Sequence, residues 1–552
     1  MQILSRIIAI VKEEKIKCIF IFLIAVYAAS ILINPNLAPT DDFIFLRTLQ
    51  AGKPLLYYSQ NFPYYNAAEM GRFTPLAAME YNFFGIFSKS PNPFWYFFYH
   101  TLQFIIISFL LVKIISQFTS NKLFIYGAPI LLFLTPGFTI SWFRMQMNER
   151  NIIFFLAIFL FFYLAYLKNQ KIIYLALGLI FANFAIYYKE TAFIAIGVFA
   201  FFHFLLSIKT ADLKTKIFDS LLLLSSAAYL SVYYFYIYIN RGPALYGRAE
   251  FNWFLVFAKN ILNYGFFSDP LLILLLMPLF FWRLFKIFFK HQKPHPLFDS
   301  LLASASIYIS SFFILNMYGP YYLLPAYLLA LPPLIYFFSQ RQPKIIFWKI
   351  FGGIAAFFFI VNTLPSGIHY LTYYKYLPIN FNKTLDFLIQ DINSKHPLKQ
   401  TNIFMDGVGR DTGRGTYFVL AEFLKYKGLS DKQFDLKSNI ETEITSPLIS
   451  KISAPFTVFQ KDAPDIIKSG DYLIVSPQSA KINPSQNYLQ SLEKDYDLAF
   501  QADSPFSFPD INLKTLTKYL LSKKISKSQK SESIMINKNL MNQPDYYIFI
   551  KK

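Results

Sequence analysis

Cysteine is nearly absent. Cys18 is the only one among 552 residues, so no disulfide can form within one chain and no cysteine-based metal centre can be built. The six histidines do not cluster as metal ligands either. Charge is scarce: 15% of residues are Asp, Glu, Lys or Arg, fewer than a soluble protein of this length carries. Acids are rarest, with thirteen in the first 369 residues. What fills the space is apolar, 55% hydrophobic and 20% aromatic, with a mean hydropathy of +0.38.

Runs such as "KCIFIFLIAVYAASILI" and "NIIFFLAIFLFFYLAYL" approach the ~20 residues that carry a helix across the hydrocarbon layer. None shows the alternation of a membrane barrel. The expected architecture is a polytopic α-helical membrane protein of about eleven spans: 16–33, 94–117, 122–140, 151–167, 172–188, 191–208, 217–239, 270–289, 298–317, 321–339 and 345–364. The first run is read as a span and not as a signal peptide, because it is longer than a signal core and many spans follow.

Short cytoplasmic loops carry an excess of Lys and Arg. With the N-terminus inside, Arg6, Lys12, Lys15 and Lys17, then Lys113, Lys122, Lys168, Lys171, Lys209, Lys214 and Lys216, all fall on the inner face. Arg283, Lys286, Lys290, Lys293, Arg341 and Lys344 follow there. The long connections 34–93 and 240–269 and everything after about residue 365 then face outward, in an integral plasma (inner) membrane protein. A net charge of +20 is read as this topology against anionic lipid, with no nucleic-acid partner.

After residue 370 the apolar runs stop. "TNIFMDG", "DYLIVSP", "YDLAFQ" and "DYYIFIK" read as short strands, and "TYFVLAEFLKYKG" and "NLKTLTKYLLSKK" as helices. The expected division is therefore a membrane domain at 1–369, with its outer loop 34–93, and a soluble extracytoplasmic α/β domain at 370–552.

Against so few acids, a carboxylate beside the membrane is informative. On this topology Asp41, Asp42, Glu69, Glu80, Glu149, Glu190, Glu250 and Asp269 lie at or near the outer face. Several have basic neighbours at span ends: "DDFIFLR" after the first span, "NER" at 148–150, "YYKET" at 187–191, and "GRFTPL" at 71–76 in the loop. Each has a plainer explanation. Thr40 or Asp41 caps a helix in "PTDDF", "NER" is solvated charge, Lys189 and Glu190 are a local ion pair, and "GRFTPL" is a turn. Their convergence on one face points further. A carboxylate there can deprotonate an acceptor while Lys or Arg holds a phosphate leaving group.

"TDDF" just after the first span, with "GRFTPL" and "YYKET", resembles the GT-C superfamily of membrane glycosyltransferases, in particular the bacterial protein mannosyltransferase and aminoarabinose transferase group. The likeness covers residues 1 to about 370 in layout, and the tail is similar to the outer domains that many members carry. It implies transfer of a sugar from a polyprenyl-phosphate donor, with inversion, to an envelope glycan, glycolipid or protein acceptor at the outer face. It implies Asp41 as catalytic base, with Asp42 beside it positioning the acceptor or ligating a metal. Lys189 would meet the lipid phosphate, oriented by Glu190, and Arg72, Glu149 and Arg150 would line the substrate site. A divalent metal is allowed, through Asp42 and Glu149, but not required.

Three rival readings stay open. A transporter or flippase for a lipid-linked or anionic substrate would place charges at the midplane and break its spans. An oligosaccharide polymerase or ligase would favour Arg-rich outer loops, and an envelope scaffold would leave the loop acids without a role. The Gly-rich "DGVGRDTGRG" at 406–415 lacks a phosphate-loop spacing and reads as an ordinary loop, the alternative being acceptor or lipid-phosphate contact through Arg410 and Arg414.

Overall fold

In the computed structural model, the described residues are 14–40, 42, 46, 73–85, 92–239, 253–264, 270–315, 317, 319–339, 346–395, 400–406, 414–440, 455–460, 463–477, 486–525 and 541–552. Asp41, Arg72 and the Gly-rich loop after Asp406, on which expectations were placed, lie outside them.

Every expected span contains helix among its described residues. The chain runs through α1 (Lys15–Leu32), a short α2 (Met79–Gly85), α3 (Pro93–Ile115), α4 (Lys122–Phe133), α5 (Pro136–Phe143), α6 (Asn148–Asn169), α7 (Ile172–Tyr188), α8 (Ala192–Ser207) and α9 (Leu213–Val232). It continues with α10 (Trp253–Leu262), α11 (Pro270–Phe288), α12 (Pro296–Ile314), α13 (Leu324–Ser339), α14 (Ile346–Phe358) and α15 (Leu364–Lys395). Among the described residues seven helical segments are long and apolar enough to cross a membrane, or eight if α4 and α5 count as one span bent by 63°, while α7 and α8 are apolar but shorter. The expected clean span at 122–140 is thus broken. Pro136, at the start of α5, has no N–H to continue the ladder, and Thr135 caps the new helix by accepting from Phe138 N at 3.4 Å. This is a polytopic helical membrane protein, with side chains such as Phe22, Phe109 and Ile172 left exposed on the outside of the bundle.

Past the bundle lie β1 (Thr401–Met405), α16 (Arg414–Tyr426), β2 (Phe434–Lys437), α17 (Thr457–Gln460), β3 (Tyr472–Val475), α18 (Gln486–Leu492), β4 (Tyr496–Ala502), α19 (Leu513–Ile525) and β5 (Tyr546–Lys551). The strands form one mixed sheet in the order β2-β1-β3-β5-β4, with β1 parallel to β2 and β3, and β5 antiparallel to β3 and β4. The boundary expected at 369/370 falls inside α15. That helix starts against the break between α4 and α5, where Gly367 lies so close to the Leu134 carbonyl that a Cβ would collide with it. It ends on the sheet domain, where Leu385, Leu388 and Ile392 are buried.

Besides a small cluster of Phe404, Leu473, Val475 and Phe549 in the sheet, two larger buried clusters result. One fills the helical bundle. The other joins the sheet domain to the near end of the bundle, combining Leu37, Ala77, Tyr81, Tyr96 and Met145 with Leu377, Phe381, Leu385, Met405 and Tyr417.

Candidate functional site

At that shared end, sequence-distant charges meet. The α6 N-terminus carries "NER", and the turn from α7 to α8 carries "YYKET". Lys189 is 5% and Glu149 2% exposed, and their side chains form a direct ion pair. The Lys189 ammonium also sits 4.5 Å from the centre of the Tyr322 ring, a favourable cation–aromatic contact. Thr191 and Tyr308 meet alongside through their hydroxyls at 3.3 Å. A buried ion pair repays its desolvation only with good geometry and further partners.

Glu190 was expected to orient Lys189; the ion pair seen at Lys189 is with Glu149. The two glutamates lie forty-odd residues apart in sequence, and α6 packing on α7 brings Glu149 across. Glu190 is half-buried on the same turn.

Arg150 was expected to line the substrate site. It is instead fully buried, and its guanidinium is taken up by the protein. Nε donates to Gln103 Oε1 at 3.0 Å, one terminal nitrogen donates to the Ser141 and Met145 carbonyls at 3.2 Å each, and the other donates to the Tyr81 hydroxyl at 2.9 Å. Such a fork pins the α5–α6 junction to α2 and α3 and leaves no face for a ligand.

Glu80 completes this network. Its carboxylate accepts from Asn151 Nδ2 at 2.6 Å and from the Tyr188 hydroxyl at 3.0 Å, and lies 3.8 Å from Arg150. Burial pushes its pKa above the ordinary glutamate value, against the opposing pull of Arg150. Sequence reading placed Glu80 on the outer face without a role. Its signal was being one of very few acids, and its partners, Asn151 and Tyr188, could not be inferred from spacing.

Asp42 is 1% exposed and accepts from the Ala38 N–H at 2.7 Å, closing the turn that follows α1. It is close to the network: the Tyr81 phenol is raised chiefly by burial, with smaller contributions that include the Glu80 and Asp42 carboxylates. Of the expected site residues, Asp42, Glu149, Arg150, Lys189 and Glu190 are described, and the Glu149–Lys189 contact and the Arg150 network join the turns between helices at one end of the bundle. Among the described residues no group of three or more His, Cys, Asp or Glu side chains is disposed to hold a metal ion.

A second polar cluster went unread. Within the bundle, Asp219 accepts from the Tyr163 hydroxyl at 2.7 Å and pairs with His203 Nδ1 at 2.7 Å, all three being nearly or fully buried. It clamps α6, α8 and α9 together.

No protein-family model matches the chain, and no curated protein sequence is significantly similar to it. Solved structures similar in shape include the Archaeoglobus fulgidus oligosaccharyltransferase in complex with Zn and sulfate (12% identity, 96% of this chain and 88% of that chain covered, TM-score 0.42). ArnT from Cupriavidus metallidurans bound to undecaprenyl phosphate is another (11% identity, 89% and 96% covered, TM-score 0.42). A third is the Archaeoglobus fulgidus oligosaccharyltransferase AglB with an inhibitory peptide and a dolichol-phosphate (11% identity, 98% and 89% covered, TM-score 0.40). Both enzymes are GT-C membrane glycosyltransferases. At this distance the likeness is one of shape, and the functional reading rests on the site's own residues.

Proposed function

We propose that the chain is a membrane glycosyltransferase that moves a sugar from a polyprenyl-phosphate donor to an envelope acceptor at the outer face. The observation that carries this reading is the buried Glu149–Lys189 pair, set on a helix turn over Tyr322. An ammonium held in a fixed position where few charges exist is suited to meet the negative charge that develops on a departing lipid phosphate. Glu149 holds Lys189 in place, Arg150 and Glu80 fix the framework around it, and Asp41, the sequence neighbour of Asp42, is the base. The acceptor hydroxyl loses its proton to Asp41 and attacks the anomeric carbon opposite the phosphate. The carbon–oxygen bond to the phosphate breaks, and configuration inverts. The N-terminus is cytoplasmic and the sheet domain extracytoplasmic on this reading, with the membrane and outer domains meeting within α15.

The test is transfer of radiolabelled sugar from a polyprenyl-phosphate donor in proteoliposomes. Wild-type protein transfers; Asp41→Asn and Lys189→Ala lose transfer by about a hundredfold or more, the scale of a positioned base or charge. Wild-type rates in Asp41→Asn would remove the base assignment.

A transporter is the second reading, because the Tyr163–His203–Asp219 cluster and the break between α4 and α5 are the buried charge and interrupted span such proteins use. Asp219→Asn separates the two: a glycosyltransferase keeps its transfer rate in detergent, whereas a transporter loses vectorial movement of a lipid-linked substrate in vesicles.

A further inference from the structure

The end of the bundle away from Lys189 holds a pocket that the proposed reaction does not use. α12 runs antiparallel to α8, with Tyr308 beside Thr191 and the Ser304 hydroxyl donating to the Ala195 carbonyl at 2.6 Å. Its Pro296 end therefore lies toward Ser207, at the face that the Lys and Arg bias makes cytoplasmic. There a cavity of ≈ 260 Å³ opens between α11, α12 and α13.

Its chemistry is divided by depth. Around the mouth are Arg283, Gln292, Lys293 and His295. Asp299, 7% exposed, grips Arg283 through two bonds of 2.7 Å and accepts from the His295 N–H at 2.7 Å. Among the described residues, the Arg283 nitrogen that Asp299 does not hold reaches Gln292 Oε1 alone, at 3.4 Å. Lys293 makes no ion pair among the described residues. Burial lowers the His295 pKa and favours its neutral form, so two cations face one carboxylate. Deeper, Leu279, Leu302 and Phe337 from the spans form an apolar floor. Phe285, Phe288 and Phe289 stand exposed at 46%, 68% and 73% at the same helix end, as side chains facing lipid do. Lys286 and Lys290 lie over the Trp282 and Phe285 rings at 5.5 and 5.9 Å.

We propose that this pocket binds an anionic glycerophospholipid of the adjacent leaflet, its phosphate between Arg283 and Lys293 and its glycerol and upper acyl carbons on the Leu279, Leu302 and Phe337 floor. A soluble anion would meet the cations but leave the floor unfilled, whereas a lipid satisfies both. The site is independent of the transfer reaction, since none of its residues belongs to the Lys189 cluster.

The full chain, reconstituted in phosphatidylcholine vesicles containing a minor fraction of dibrominated phosphatidylglycerol, tests this through bromine quenching of Trp282, which lines the pocket. Wild type minus Trp282→Phe isolates that signal. Dibrominated phosphatidylglycerol quenches it more than the same fraction of dibrominated phosphatidylcholine. Lys293→Glu, on an exposed side chain, weakens the preference about fivefold, while Lys290→Glu, outside the lining, changes it less than twofold. Equal quenching by the two lipids overturns the proposal. So does an equal loss in both variants, which would mean diffuse surface attraction, or loss of the preference on adding inorganic phosphate, which would mean a soluble anion.

Discussion

Removing one half of a buried ion pair strands the other, at a cost of about 3–5 kcal/mol. Glu149→Gln leaves the Lys189 ammonium over Tyr322 without its carboxylate, and a large fall in thermal stability in detergent is expected. Lys189→Met combined with Glu149→Gln should recover most of that fall, because neither charge is then buried. Sugar transfer should stay lost in the double variant, which separates a structural pair from one that serves the leaving phosphate. Recovery of transfer together with stability would remove Lys189 from the reaction. Glu80 offers a pH test at the same scale. Its pKa is raised by burial in the folded protein, so the native state holds the proton more tightly than the unfolded chain. Its contribution is fully present below the ordinary glutamate pKa of about 4.3 and is lost as pH rises through the raised folded value. Unfolding of Glu80→Gln in detergent, followed from acid toward neutral pH, should lack this part of the decline, and an unchanged slope would show that Glu80 does not carry it.

Among the elements, the junction of α5 with α15 is the most demanding. Gly367 lets α15 approach the Leu134 carbonyl, and Gly137 would place a Cβ 2.5 Å from the Pro320 carbonyl oxygen. In both cases the neighbour is backbone and cannot rotate away. Gly367→Ala should destabilise the protein by on the order of 2 kcal/mol through overpacking, read as a lowered midpoint of unfolding in detergent. Helix positions were legible because lipid forces long apolar runs into helices that satisfy their own backbone. The break at Pro136 was visible in the letters, but "LLFLTPGFTISWF" keeps its hydropathy across the bend, so a reading by hydropathy joined the two halves. In α15 the opposite holds. Apolar content falls after residue 370, yet the helix continues to Lys395 because its later face is buried on the sheet domain. Within the site, the places of Glu149 and Lys189 at span ends could be read, but not their pairing. Nor could the exhaustion of the Arg150 guanidinium, which depends on carbonyls from Ser141 to Met145 that carry no side-chain signal.

For the molecule as a whole, bundle and sheet domain are joined by more than a tether. His369 Nδ1 bonds the Phe508 carbonyl at 2.7 Å, and Asn380 Nδ2 reaches the Pro544 carbonyl at 2.9 Å, tying α15 to the tail. Asn382 Nδ2 reaches the Leu37 carbonyl at 3.0 Å, tying the same helix to the turn that contains Asp42. A donor and an acceptor meeting near that turn would thus be enclosed by both parts of the chain, which is the arrangement a transfer reaction needs to limit hydrolysis by water. This role requires the sheet domain to lie on the side opposite the Lys-rich loops. Replacing Cys18 by Ser removes the only native thiol, so single cysteines can report sidedness without background. Lys494→Cys, in the sheet domain, should react with a membrane-impermeant maleimide in intact cells, and Asn169→Cys, at the C-terminal end of α6, only after the membrane is opened. The reverse pattern would place the Glu149–Lys189 cluster on the cytoplasmic side and would exclude transfer at the outer face, since the two groups lie at the end of the bundle that the sheet domain covers.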